Sequence, residues 1–559
     1  MRSDLRRALT PLALASVLGG CGSPEFDVVV SGGRVIDGTG SPAYAADVGI
    51  RDGRITALGD LVGRSASRTI AADGRVVTPG FIDMMGGSSY PLLHDPTTAE
   101  SKLHQGITTM LAGEGGSMAP LDDRLRAEFE EETGYRPSWA TFAEYFAILA
   151  DTGVALNVVH NVGAAQVRRV VLGDQDVAPS PAQLDSMRAL VEGAMRDGAV
   201  GLSTALIYPP GIFADTEELV ALARGAAVYG GVYFTHMRNE SFAVLEAIDE
   251  ALDIGKEAAI PAHIFHLKAA GRENWPLMER AIRRIADARA AGLDVTADVY
   301  PYIRNGIGLG SFVHPRHYAA GDEAFRATLS DPEVRRALRR EIETTDDWEN
   351  WYRHVGFDWD KVLIARVGDE QDADLVGLSI AGAAERRGAD VWTLFFDLVQ
   401  RGGVGVNPES MNEEQKHLAL RAPFIAIDTD ASPMNPDSVA AAHPRAFGAF
   451  PRVLAKYVRA EGVIPLEEAI HKMSALPASI LRLADRGRIA EGMAADVLVF
   501  DPERVQDRAT FTDPLRYAEG IEYVIVNGEP VIDAGRATGA RPGRVIRHGD
   551  SGRDDAARE

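Results

Sequence analysis

Eight apolar, strand-like runs limit what this chain can fold into: "GFIDMM", "GITTMLAGEG", "ALNVVHNVG", "GAVGLSTALIY", "GVYFTHMRN", "PAHIFHLKAAG", "LDVTADVYPY" and "FIAIDTDAS". Stretches of helical periodicity separate several of them; in "SFAVLEAIDEALDIGKEA", Leu245, Ile248 and Leu252 share one face. Apolar strands alternating with helices are the pattern of a parallel α/β fold. Eight such units predict a (β/α)8 TIM barrel over residues 76–484, with its site at the C-terminal ends of the strands. The stretch 313–423 is too long for one loop and carries helical segments such as "DPEVRRALRREIETT", so it is predicted to form a lid or inserted subdomain.

The two ends of the chain share a different texture. "FDVVVSGGRVIDGTG" and "DVGIRDGRITALGD", like "IEYVIVNGEPVIDAGRAT" far downstream, alternate Val and Ile with Asp-Gly, Gly-Gly or Asn-Gly turns, the pattern of hairpins. Neither end is long enough for its own core. Residues 26–75 and 485–545 are therefore expected to build one small composite β-sandwich, with 546–559 as a disordered tail.

Ahead of these strands, Arg2, Arg6 and Arg7 precede an apolar run from Ala8 to Leu18, which is too short to span a bilayer and reads as a secretory signal. Leu18-Gly19-Gly20-Cys21 resembles the bacterial lipobox. That resemblance implies a signal peptide over residues 1–21, lipidation at Cys21 and a lipid anchor in the cell envelope, on the periplasmic or extracytoplasmic face; the other reading is an ordinary signal with a cysteine near its cut site. Cys21 is the single cysteine, so neither a disulfide nor a thiolate metal ligand is available to the rest of the chain. A formal net charge of -23 argues against nucleic acid as a partner, because phosphate binding needs a basic surface.

Polar residues near the predicted strand ends carry the chemistry. Glu114 closes the second run, His236 lies in the fifth, His266 and Lys268 in the sixth, and Asp430 in the eighth. Two residues apart on a strand, His266 and Lys268 are expected on one face. One carboxylate and two imidazoles make a three-ligand zinc site with an open position; interior polar residues of a barrel are the alternative. His263, in the other alternation phase, is expected to face the outer helices, and His160 and Asn161 to end the third strand near the pocket.

Several longer stretches make the comparison specific: "PGFID", "GITTMLAGEGGSMAPL", "GLSTALIYPPG", "THMRNESFAVLEAIDEAL", "FHLKAAGREN", "ADVYPY", "HPRAFGAFPRVLAKYVR" and "RGRIAEGMAADVLVFDP". From Phe26 to about Ala540 the chain resembles the D-aminoacylase (N-acyl-D-amino-acid deacylase) branch of the amidohydrolase superfamily. The resemblance implies His236 and His266 as ligands of a buried Zn2+, with Glu114 where the family carries a cysteine; that harder oxygen ligand leaves manganese or iron as alternatives. The resemblance also implies Asp430 as general base, Tyr208 as hydroxyl donor to the carbonyl oxygen, and Lys268, Tyr300 and Arg445 as the grip on the substrate's α-carboxylate. Gly306 stands where the family has a serine, with Arg304 nearby as its replacement or as a reader of an acidic side chain. In the family PGFID runs into His-x-His, which holds a second metal; here those positions are Met85 and Gly87. A thioether and a hydrogen atom do not hold zinc, so one tightly bound ion is expected.

The implied reaction is metal-dependent hydrolysis of a small-molecule N-acyl-D-amino acid. An unusual dipeptide, a D-residue peptide or a cyclic amide is the rival substrate, and an inactive envelope binding protein the rival from another class.

Overall fold

The structure, a computed structural model, describes residues 23–439 and 442–550. The expected signal peptide and Cys21 lie outside the described residues, as does the tail beyond 550. Among the described residues no helix is long and apolar enough to cross a membrane.

All eight predicted runs contain strands, and these pair in parallel. Phe81–Asp83, Ile107–Ala112 and Asn157–His160 form a three-stranded sheet. Val162–Gly163, Gly201–Ala205, Val232–His236, Ala262–Ile264, Val295–Val299 and Ile425–Ile427 form a six-stranded one. Their strands are rich in β-branched and aromatic residues and buried along their length, as helix-covered parallel strands must be. Helices return the chain between strands; Val244–Ala258, for instance, buries Ile248, Ala251 and Ile254 along one stripe. Because the strands are parallel, their C-terminal ends open on one side, the edge where open α/β sheets bind ligands.

The chain ends do combine. One sheet of four strands comes from the N-terminal segment alone, whereas the seven-stranded sheet joins Arg34–Val35, Tyr44–Ala45 and Val76–Pro79 to Val497–Phe500, Ile521–Val526, Glu529–Asp533 and Arg536–Ala537. Val28, Val48 and Ile50 of the first sheet pack in one apolar cluster with Val77, Val499 and Ile525 of the second. Val76–Pro79, assigned above to the barrel, instead pairs antiparallel with Val497–Phe500; the switch to the parallel sheet falls at Gly80. At the other end Ile546, placed above in the tail, is buried and donates its N–H to the Val158 carbonyl at 2.9 Å.

The inserted segment has its own core, in which Leu309, Phe312, Trp359, Trp392, Phe395 and Val406 pack together. Its C-terminal boundary is earlier than expected: Ala419 and Leu420, on the helix Glu413–Arg421, belong to the main core.

Beneath the strand ends, the fully buried Lys102 ammonium reaches Asp83 Oδ2 at 2.7 Å, Thr429 Oγ1 at 2.6 Å and the Ala431 carbonyl at 2.6 Å. Asp83 also accepts the Thr429 N–H at 2.9 Å, so this pair fixes the backbone on both sides of Asp430. Lys102→Met is expected to lower the unfolding free energy by about 3–5 kcal/mol, because it strands a buried carboxylate; the denaturant midpoint checks it, and an unchanged midpoint would refute the role.

Candidate active site

Glu114 follows the strand Ile107–Ala112 in the turn Gly113-Glu114-Gly115-Gly116. Gly115 has φ +66°, and a Cβ there would stand 2.7 Å from the Ala205 nitrogen, so only glycine lets the turn press against the neighbouring strand. The turn brings Glu114 Oε1 to 2.8 Å from His236 Nδ1 and 3.1 Å from His266 Nε2. Donor atoms of all three lie within 4.8 Å of one another, and the two rings meet edge to face at 4.5 Å.

His236 ends the strand Val232–His236, as expected. His266 arrives differently. Its strand, Ala262–Ile264, stops short of it, and His266 itself has φ +36°, a left-handed conformation costing on the order of 1–3 kcal/mol. Its backbone N–H is held by the Asp298 carboxylate. This turn breaks the alternation, so the phase argument used above fails for both neighbours. His263 does not face the helices: it packs against Phe234 and Phe265 and bonds Thr296 Oγ1 at 2.7 Å and Asp298 Oδ2 at 2.9 Å. Lys268 does meet His266, with Nζ 2.8 Å from Nδ1, but across a turn and not along a strand.

Glu240, which the sequence did not single out, backs the cluster. Its buried carboxylate lies 3.0 Å from His266 Nδ1, 3.4 Å from His236 Nε2 and 2.6 Å from Lys268 Nζ. Burial opposes its charge, yet the two imidazoles and Lys268 hold its pKa well below the usual carboxylate range. For His266, burial and the Lys268 ammonium work against protonation, but the Glu240 and Glu114 carboxylates outweigh them and push the pKa up to about 10. Such a field favours positive charge at the cluster. With one oxygen and two nitrogen donors, and a carboxylate that orients the His266 ring, the residues fit a divalent cation such as zinc.

Asp430 lies just past Ile425–Ile427 with φ +43°, and its Oδ2 is 2.5 Å from Arg445 Nη1. Burial raises its pKa, and Arg445 offsets part of that rise. Arg445 also stacks over the buried Tyr300 ring at 4.7 Å. Tyr208 stands at the rim, 38% exposed, with its ring edge-on to His236 at 5.6 Å. Glu114, Tyr208, His236, His266, Lys268, Tyr300, Asp430 and Arg445 thus line a single cavity of about 90 Å³, together with Glu240 and Trp351 of the insertion. Asp428 lines neither this cavity nor the one beside it; burial and Asp298 push its pKa well above the ordinary range. Arg304 is also absent from both, being tied to Glu409 at 2.7 Å and to the Lys361 and Asn407 carbonyls. A third cavity of about 460 Å³, between Tyr302, Arg452 and Asp507, contains none of these groups.

A carboxylate and two imidazoles thus meet at the C-terminal edge of parallel strands, beside a composite sandwich. The model of the amidohydrolase family matches residues 420–532. The chain is 35% identical to an N-acyl-D-glutamate deacylase of Alcaligenes xylosoxydans xylosoxydans over 94% of its own length and 97% of the relative's. It is 34% identical to a D-aminoacylase of the same organism, over 94% and 98%. A crystal structure of N-acyl-D-glutamate deacylase from Bordetella bronchiseptica, complexed with zinc and a phosphonate mimic of the tetrahedral intermediate, superposes with a TM-score of 0.78 at 32% identity, covering 93% of this chain and 99% of that one. The chain belongs to the D-aminoacylase branch of the amidohydrolases, metal-dependent hydrolases of carbon–nitrogen bonds other than peptide bonds.

Proposed function

We propose that the protein hydrolyses the amide of an N-acyl-D-amino acid, releasing a carboxylic acid and a free D-amino acid. The observation that carries this is the meeting of Glu114, His236 and His266 in one cavity with Asp430, Lys268, Tyr300 and Arg445, in a chain of this family. Glu114, His236 and His266 hold one Zn2+. A bound cation of this kind lowers the pKa of a water and polarises the scissile carbonyl. Asp430 takes the attacking water's proton and delivers it to the leaving amine. Tyr208 donates its hydroxyl to the carbonyl oxygen, and Lys268, Tyr300 and Arg445 bind the α-carboxylate, Arg445 through its planar fork. Glu240, beside His266 Nδ1 at 3.0 Å, fixes the tautomer and orientation of that imidazole.

The single-ion reading has a steric support in addition to the missing ligands. Gly87 has φ +72°, and a Cβ there would lie 2.5 Å from Ser432 Oγ, so no side chain fits at that position without displacing its neighbour. The two parallel sheets are arcs of one closed (β/α)8 barrel, and the segment from Leu309 to Val406 is a lid that contributes Trp351 to the cavity. The chain is exported and anchored through lipidated Cys21; the mass of the mature N-terminus tests this, and an unmodified one would refute it.

A screen of N-acetyl-D- and N-acetyl-L-amino acids, dipeptides and cyclic amides with the zinc-loaded protein tests the activity. Release of a D-amino acid is expected; no release from any acyl-D-amino acid overturns the reading.

A further inference from the structure

The cationic side chains at the site suffice for one carboxylate and no more. Lys268 and Arg445 are the Lys and Arg side chains, among the described residues, that line the cavity of about 90 Å³. A second cavity of about 420 Å³, which shares Glu114 and Asp430 with it, is lined by neither type. Lys268 Nζ donates to Glu240 Oε1 at 2.6 Å, and Arg445 Nη1 forms its ion pair with Asp430 at 2.5 Å. That ion pair apart, Arg445 Nε and Nη1 are buried without a hydrogen-bond partner, an open fork that one carboxylate fills.

Other cations near the site are turned elsewhere. Arg304 Nη2 donates to Glu409 at 2.7 Å and its Nη1 to the Lys361 and Asn407 carbonyls at 2.7 and 3.1 Å, with the guanidinium 5.6 Å from the centre of the Phe511 ring. The buried Lys416 ammonium lies 4.8 Å from the centre of the Tyr300 ring, beside Met411 Sδ, and lines neither cavity. His160, in the larger cavity, is neutral, because burial pushes its pKa down to about 3. Once the metal, the water and the α-carboxylate have their residues, the small cavity keeps Ile207, Ile307 and Trp351, with Asn305, whose Oδ1 accepts the Ser410 hydroxyl. Three carboxylates, those of Glu114, Glu240 and Asp430, face the same space.

We propose that the protein is selective for N-acyl-D-amino acids with an uncharged side chain and turns away those with a side-chain carboxylate. The proposal rests on the reading above, in which Lys268, Tyr300 and Arg445 bind the α-carboxylate. Whichever of the two cavities the Cα substituent enters, a second carboxylate leaves water for a wall with no free cation. Burying such a charge unpaired costs far more than burying a neutral group of the same shape, and the neighbouring carboxylates repel it. A side-chain carboxylate that reached the metal position instead would take the place of the attacking water and block turnover. An aliphatic or thioether side chain meets no such penalty and gains by covering Ile207, Ile307 and Trp351.

The test is a set of N-acetyl-D-amino acids, those of methionine, leucine, glutamine, glutamate and aspartate, with the native zinc-loaded protein. The kcat/KM of the methionine derivative is expected to exceed that of the glutamate derivative about 100-fold or more. Glutamine, which has the shape of glutamate without its charge, is expected to exceed it about 10-fold or more. If the glutamate or aspartate derivative matches the methionine one, or if glutamine is as poor as glutamate, the selectivity proposal is wrong while the deacylase reading survives. If no member of the set is hydrolysed, both fall.

Discussion

Asp430→Asn is expected to lower kcat by about 10²- to 10⁴-fold while the protein retains its metal, the range a positioned acid–base group supplies. The substitution keeps the size of the side chain while removing the negative charge that pairs with Arg445, whose Nη1 sits 2.5 Å from Oδ2 in the native protein. What is lost is the capacity to take a proton from water and return it to the amine. Steady-state kinetics on N-acetyl-D-amino acids, together with metal analysis of the same preparation, separates this from a binding defect. Full activity in the variant would move the base elsewhere. Asp428 is not the substitute, since it lines neither cavity at the site.

His266→Ala is expected to abolish metal binding and turnover together. With Met85 and Gly87 unable to contribute, only Glu114 and His236 would remain, and two ligands do not make a zinc site. Native protein should carry one ion per chain, and this variant essentially none after dialysis. Glu240→Gln supplies the graded case: the ring-orienting carboxylate becomes an amide, all three ligands stay, and metal affinity is expected to fall about 10- to 100-fold in a chelator competition. Native metal content in His266→Ala would show that the ion is held elsewhere. Unaltered affinity in Glu240→Gln would mean that His266 is positioned without it.

The sequence carried much of this arrangement, but unevenly. Strands buried on both faces require continuous apolar runs, so "GVYFTHMRN" and "LDVTADVYPY" announce themselves, and a polar residue closing such a run stands out. Glu114, His236 and Asp430 were visible for that reason. His266 was found, but its route was not: alternation assumes an extended backbone, and a residue at φ +36° breaks it, which is also why His263 was assigned to the wrong side. Glu240 lies in "MRNES", a stretch with neither strand nor helix period, so nothing local relates it to the imidazoles it touches. The exchange of partners at Gly80 was hidden as well, because "VVTPGFID" is apolar on both sides of it.

The pairing of Val76–Pro79 with Val497–Phe500 also constrains how the molecule comes together. A strand near the start of the chain waits for a partner near its end, with the catalytic domain between them. Until that late segment has been synthesised, Val76 and Val77 present an unsatisfied hydrogen-bonding edge, the kind that recruits other chains. Contacts of such long sequence separation form slowly, because the loop they close must be ordered first. Loss of the last strands would therefore leave the newborn polypeptide aggregation-prone at its opposite terminus, far from every residue that performs the chemistry.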